Sequence, residues 1–295
     1  VIIIKYISAF LVGFLLYDLI LNKRFYFIFL YLSLIALTLF FIDFNTFVFD
    51  FSIYDDIKDR NSYLILSDIF TVCHFLAVPL IKNKTLRCVF TLVSVFILFS
   101  LGSRTSLYIM VFVSLYLELI LNSKELKRNT LVLLSIIVPL FFIDFNHLLD
   151  LNERMFGFLF GHSDYSVTAR TMLSINGVNA ISNNLFFGDF MGQVNHGGGG
   201  TLLGSYMHDY RSYLRQFGLI GFIPFVILQF WLIYIYIALQ INSKHYYEPY
   251  RNVFICVFLF LFIETLSSRA FNYSFWMLLV GLSISIFNRN FNEKY

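Results

Sequence analysis

The sequence predicts an all-α fold: a polytopic bundle of transmembrane helices forming one integral-membrane domain over residues 1–295, with a single long extracytoplasmic loop that contains short helices. Three observations predict it. Apolar residues make up 59% of the chain and charged residues only 13%, whereas a soluble domain carries about a quarter charged residues. So few charges cannot coat a water-facing globule of this length, and lipid must cover much of its surface. Apolar windows approaching the roughly 20 residues that a spanning helix needs recur along the whole chain, about nine in all. Finally, Lys and Arg concentrate in every second connection, as the retention of positive charge in the cytoplasm requires.

The windows run over residues 2–21, 25–42, 62–81, 88–101, 106–121, 130–148, 218–241, 253–267 and 274–287. The first is expected to be a true span rather than a signal peptide, because it has no basic leading region and no small-residue cleavage site. The basic connections are Asn22-Lys23-Arg24, the stretch from Lys82 to Arg87, the loop with Lys124, Lys127 and Arg128, the flanks Lys244 and Arg251, and Arg289 with Lys294. Between two of them, residues 43–61 hold five aspartates against Lys58 and Arg60. Placing the basic groups in the cytoplasm puts the carboxyl terminus there and the amino terminus outside. The long loop, residues 149–217, is then extracytoplasmic as well.

Several function classes drop out on composition. The net charge of +3 is small, and no basic stretch with interleaved aromatics is present, so nucleic acid is not an expected partner. Cys73, Cys88 and Cys256 lie in or beside apolar runs without ligand spacing, which argues for buried or lipid-facing thiols rather than zinc or disulfides. There is no His-x-x-x-His pair and no Asp-x-Asp, so no metal site is expected.

The long loop concentrates polar chemistry. It holds Arg154, His162, Asp164, Arg170, His196, His208, Asp209, Arg211 and Arg215, together with most of the glycines. Its Tyr, Phe, Met and Leu content suggests a largely folded loop. The tract Asn195-His196-Gly197-Gly198-Gly199-Gly200 reads as a hinge or loop tip; no Gly-Lys-Ser/Thr follows it to make a phosphate loop. Charges elsewhere have simpler readings. His74, in mid-span, is expected to be a hydrogen-bonded core histidine. Asp68 and Glu264 stand near outer helix ends, where each would pair with an arginine or reach to the interface, Glu264 with Arg269 being the favoured pair. Asp18 and Glu118 read as interface anchors at cytoplasmic ends.

Within the loop, Arg170-Thr171-Met172-Leu173 is followed by Asn183-Asn184-Leu185-Phe186-Phe187-Gly188-Asp189-Phe190-Met191-Gly192. Beyond the glycine tract comes Tyr206-Met207-His208-Asp209-Tyr210-Arg211-Ser212-Tyr213-Leu214-Arg215-Gln216-Phe217-Gly218-Leu219-Ile220-Gly221-Phe222. This order resembles the O-antigen polymerase and ligase family of bacterial surface-polysaccharide enzymes. In that family a large extracytoplasmic loop opens with an arginine, passes an Asn-x-Leu-Phe-Gly segment, reaches a histidine, and enters the membrane through Leu-x-x-x-Gly-Leu-x-Gly-Phe. Gly102-Ser103-Arg104-Thr105-Ser106 also looks like the family's arginine turn. The resemblance covers residues 102–222 and the hydropathy profile. One departure is Asp209, which follows the histidine where many members have Asn.

The resemblance implies a multi-pass enzyme of the bacterial cytoplasmic membrane. Such an enzyme transfers a glycan from undecaprenyl diphosphate to a sugar hydroxyl on the outer side, with inversion and without cofactor, metal or nucleotide sugar. It implies a lipid-linked oligosaccharide as substrate, the lipid bilayer as surroundings, and a chain-length regulator and a flippase as partners. The residues suit that reaction. A lipid-diphosphate leaving group must be met by fixed cations and N–H donors, and Arg offers a permanently charged planar fork to phosphate oxygens. Arg104, Arg170, Arg211, Arg215 and Arg269 are the candidates for the diphosphate, with Arg154 a further outer arginine. His208 is the candidate base for the acceptor hydroxyl, with Asp209 as fallback and Arg170 completing the catalytic set.

Three functions compete. The leading expectation is an O-antigen or capsular repeat-unit polymerase. The second is an O-antigen ligase that moves finished polymer onto a lipid A core. The third is a lipid-oligosaccharide flippase or other transporter, which should line a central cavity with charges and have only short loops. The concentration of charge in one long loop favours an enzyme. At the entry to the seventh window, residues 205–241 are too long for one straight helix across about 30 Å of hydrocarbon. The expected solution is a short helix over residues 205–217, with Ser205 as N-cap, and a break supplied by Gly218, Gly221 and Pro224. On that helix His208, Arg211 and Arg215 would share a face.

Overall fold

The computed structural model describes residues 2–44, 48–49, 62–121, 165–190, 210–241, 248–267 and 274–292. Helix dominates them. In chain order they comprise α1 (Ile2–Phe40), a ribbon of β1 (Ile42–Asp43) and β2 (Val48–Phe49), α2 (Ser62–Ala77), α3 (Lys84–Ser100), α4 (Arg104–Tyr116), α5 (Tyr165–Asn183), α6 (Arg211–Ile241), α7 (Glu248–Ser267) and α8 (Phe275–Asn292). Three described helical stretches are long and apolar enough to cross a membrane: Lys23–Phe40, Arg211–Ile241 and Pro249–Ser267. Ile4–Leu16, Leu64–Leu80 and Phe275–Ile286 are shorter apolar helices. These features are compatible with a membrane protein. The expected sixth window, residues 130–148, lies outside the described residues.

Local sequence explains several boundaries. Asn83 caps α3 by accepting a hydrogen bond from the Leu86 N–H, which starts the helix ahead of its apolar window. Pro79 stands in a single 3₁₀ turn, Val78–Leu80, that follows α2; its missing N–H suits the start of a new turn rather than a helix interior. The first two expected windows meet in α1 with only Lys23 departing from helical angles, at φ −140 and ψ 34. The small antiparallel ribbon, pairing Ile42 with Phe49 and Asp43 with Val48, is an addition to the all-α expectation. Its buried Ile42 and Phe49 give it an apolar side.

The described chain divides into two compact units. The second, residues 25–164, is held by polar contacts between helices. Tyr31 of α1 bonds through its hydroxyl to His74 Nδ1 of α2 at 2.7 Å and to Ser94 of α3, and Ser94 Oγ lies 3.0 Å from the same His74 nitrogen. His74 Nε2 lies 3.5 Å from Ser114 Oγ of α4. At one end, Arg87 of α3 donates from Nε and Nη2 to the two carboxylate oxygens of Glu118 at 2.6 and 2.9 Å, and from Nη1 to the Ile81 carbonyl at 2.8 Å. Glu118 lies in a π-helical turn, Leu117–Leu121, that continues α4. It is therefore half of a bidentate clamp, a larger role than the interface anchor its position suggested.

The first unit comprises residues 1–24 and 165–295. Its centre is α7, buried on every side from Tyr250 to Phe258 and again at Phe260 and Leu261, as an all-round apolar helix must be. Tyr250 donates its hydroxyl to the Leu282 carbonyl of α8 at 3.0 Å. The helix formed by residues 2–22 approaches α8 backbone to backbone: a Cβ on Gly13 would stand 1.9 Å from the Leu278 carbonyl oxygen, and one on Gly281 2.1 Å from that of Phe10. Small residues at such crossings permit close helix contact. By contrast, α6 exposes Ile220, Ile223, Ile227, Phe230, Tyr234, Ile237 and Ile241, an unbroken apolar stripe at alternating spacings of three and four.

Candidate functional site

The two stretches of the long loop singled out in the sequence meet in the first unit. The turn after α5, residues 184–190, lies against the bend in α6. The Asp189 N–H donates to the Arg215 carbonyl at 2.7 Å, the Leu219 N–H to the Leu185 carbonyl at 2.9 Å, and the Ile220 N–H to the Phe186 carbonyl at 3.3 Å. These bonds require an interrupted helix, because an N–H committed within α6 would have nothing to donate outward. The interruption is Gly218, at φ 59 and ψ −165. Facing it is Gly188, with φ 74. A Cβ on Gly188 would lie 2.4 Å from the Gly218 nitrogen, and one on Gly218 2.2 Å from the Phe186 oxygen. Both glycines are thus required twice, by positive φ and by the lack of room for a side chain.

Two of the expected diphosphate arginines flank this junction. Arg211, in the first turn of α6, donates from Nη2 to Ser174 Oγ of α5 at 3.1 Å. Ser174 is one helical turn beyond Arg170 on the same helix, so the backbone places position 170 on the face that Arg211 approaches. Arg215, one turn further along α6, is buried, at 6% exposure, and its Nε has no hydrogen-bond partner among the described residues. A buried guanidinium N–H without an acceptor is costly.

Arg104 belongs to the other unit. It opens α4 directly after the turn in which Gly102 has φ 70. Around it, Ser103 Oγ and Ser106 Oγ lie 2.9 Å apart, and Ser106 donates to Asp68 Oδ1 at 2.8 Å. Asp68 is 3% exposed, so it does not reach to an interface. Glu264 is fully buried in α7. His208, Asp209 and Arg269 lie outside the described residues, as do Arg154, the glycine tract and the expected N-cap Ser205. The helix α6 itself begins at Arg211, with Tyr210 in a turn before it, so the short helix expected over residues 205–217 starts later than expected.

Sequence reasoning found the segments but missed their partnership. Nothing in the spacing of Gly188 and Gly218 announces that one backbone docks on the other; the one available signal was that both stand in motifs already singled out. The Arg87–Glu118 clamp was equally hidden, since the two are 31 positions apart. In comparisons with protein families, curated proteins and solved structures, no family model, protein or structure matches the chain.

Proposed function

We propose that the chain is an O-antigen or capsular repeat-unit polymerase, an inverting, metal-independent glycosyltransferase. It joins undecaprenyl-diphosphate-linked glycans on the outer side of the bacterial cytoplasmic membrane. The observation that carries this reading is the junction at Gly188 and Gly218. It joins the two loop segments on which the resemblance rests, and sets Arg211 and Arg215 beside the helix that bears Arg170. In this reading the membrane bundle has about nine spans, with residues 149–217 outside.

The chemistry follows from charge. Arg170, Arg211 and Arg215, with Arg104 and Arg269, hold the donor's diphosphate and offset the charge that grows on it as the sugar departs. His208 accepts the proton of the acceptor hydroxyl, with Asp209 as the fallback base. The hydroxyl oxygen then bonds to the anomeric carbon from the face opposite the diphosphate, the carbon–oxygen bond to phosphate breaks, and lipid diphosphate leaves.

The experiment is deletion followed by gel analysis of surface lipopolysaccharide. A single repeat on core is expected. Bare core with accumulated lipid-linked polymer would instead identify a ligase, and repeat units retained in the inner leaflet a flippase.

A further inference from the structure

Residues 185–190 turn an unusual amount of apolar surface outward. Phe186 is 65% exposed, Phe187 81%, and Leu185 and Phe190 are exposed as well. The glycine junction brings the backbone of this turn against α6, and Phe186 and Phe187 are left turned outward. Phe190 reaches Phe217, with ring centroids 5.7 Å apart. Phe217 is itself exposed and stands three residues before Ile220, where the exposed stripe of α6 begins. Through Phe217 the exposed apolar surface of the turn meets α6 just before its stripe begins. It ends in aromatics, with Tyr210 exposed beside them in sequence and with Asn183, Asn184 and Asp189 as polar flanks. Aromatic rings followed by polar groups at the end of an apolar helix are the pattern of a membrane–water boundary.

We propose that the turn at residues 185–190 is a membrane-interfacial wedge, seated among phospholipid acyl chains just beneath the headgroups at the end of α6. The inference rests on α6 crossing the bilayer but not on the polymerase reading. It fixes the depth of the adjoining backbone: the Asp189 N–H donates to the Arg215 carbonyl, so residue 215 lies close to the boundary between acyl chains and headgroups.

The test uses the full chain with Cys73, Cys88 and Cys256 changed to Ser. A single cysteine is introduced as Phe187→Cys, or in a second protein Phe186→Cys, and carries an environment-sensitive fluorophore. Both positions are exposed, so neither change removes core packing. The labelled proteins are reconstituted in phosphatidylcholine–phosphatidylglycerol vesicles. A lipid spin label near the headgroup is expected to remove most of the emission. A label near the chain end should remove much less, and aqueous iodide little. Quenching by iodide as in the free dye overturns the proposal, as does protection from every quencher, which would mean that protein covers the turn. Ile227→Cys is the reference. If that exposed mid-helix position also escapes the lipid labels, the membrane reading of α6 fails and the wedge that rests on it falls too; if Ile227→Cys is quenched and the turn is not, the wedge alone fails.

Discussion

Arg87 and Glu118 show how a charged pair survives among apolar helices. Two parallel N–H donors meet two carboxylate oxygens, and a third N–H is taken up by the Ile81 carbonyl, so the guanidinium gives up water for a nearly complete set of acceptors. Removing one partner strands the other. Glu118→Ala is expected to cost about 3–5 kcal/mol, the range for breaking a buried pair, whereas Arg87→Met combined with Glu118→Leu should recover most of that loss. Thermal unfolding of the solubilised protein checks both, and equal destabilisation by the single and the double change would contradict the stranded-charge argument. The His74 cluster behaves differently because it is shared. Tyr31→Phe leaves His74 Nδ1 with Ser94 as a partner, and a cost of about 1 kcal/mol is expected. His74→Ala should cost more, since it removes the common partner of Tyr31, Ser94 and Ser114. A histidine in mid-span was legible as a core residue; which hydroxyls would satisfy it was not, because helical periodicity gives a face and not the neighbour across from it.

Elements were the most legible level. Hydropathy alone located α2, α3, α4 and α8 within a few residues, and the excess length before residue 241 announced a break that falls at Gly218. Less legible were features that depend on a distant partner. The π-helical turn at Leu117–Leu121 and the ribbon at residues 42–49 have no periodic signature. The docking of residues 184–190 on α6 is a backbone event, and backbone contacts leave no side-chain pattern to read. Its energetics are testable. Gly188→Ala and Gly218→Ala each place a Cβ inside a backbone contact and force a residue with a side chain into positive φ, for which about 1–3 kcal/mol is the conformational cost alone. Each should lower the unfolding midpoint and, on the proposed function, reduce polymer length. Because both break the same junction, the double change should be little worse than the more severe single change; strict additivity would show that the two glycines act independently.

At the scale of the whole molecule the composition was decisive, and the arrangement of charge was only partly so. Apolar content predicted the long apolar helices that the structure contains. The expected arginine set, however, mixes residues of both units, and spacing within a loop carries no information about a residue on a separately packed unit. Two predictions belong here. Arg170→Ala should abolish polymer at unchanged protein level, and Arg170→Lys should restore little, because a point charge does not reproduce a bidentate fork; wild-type polymer from the alanine variant reduces Arg170 to a loop anchor. Turnover of lipid-linked repeats by the purified protein should continue in excess EDTA. Activity lost there and regained with added Mg²⁺ or Mn²⁺ would remove the arginine-only account of leaving-group stabilisation.

The unit that holds the glycine junction is discontinuous in sequence, with residues 25–164 inserted between its first helix and the rest. That makes its assembly a matter of timing on the ribosome. Gly13 is made about 265 residues before the Leu278 and Gly281 backbones that it meets. At about 5–20 residues per second, the first helix spends tens of seconds without its native neighbour while the inserted unit is made and folds. Its exposed face must be tolerated by lipid or shielded by the insertion machinery for that whole interval. A chain arrested after residue 267 would carry the same burden permanently. Such a chain should be cleared by membrane proteases even though α5, α6 and α7 are all present, and pulse–chase labelling would measure the difference in lifetime.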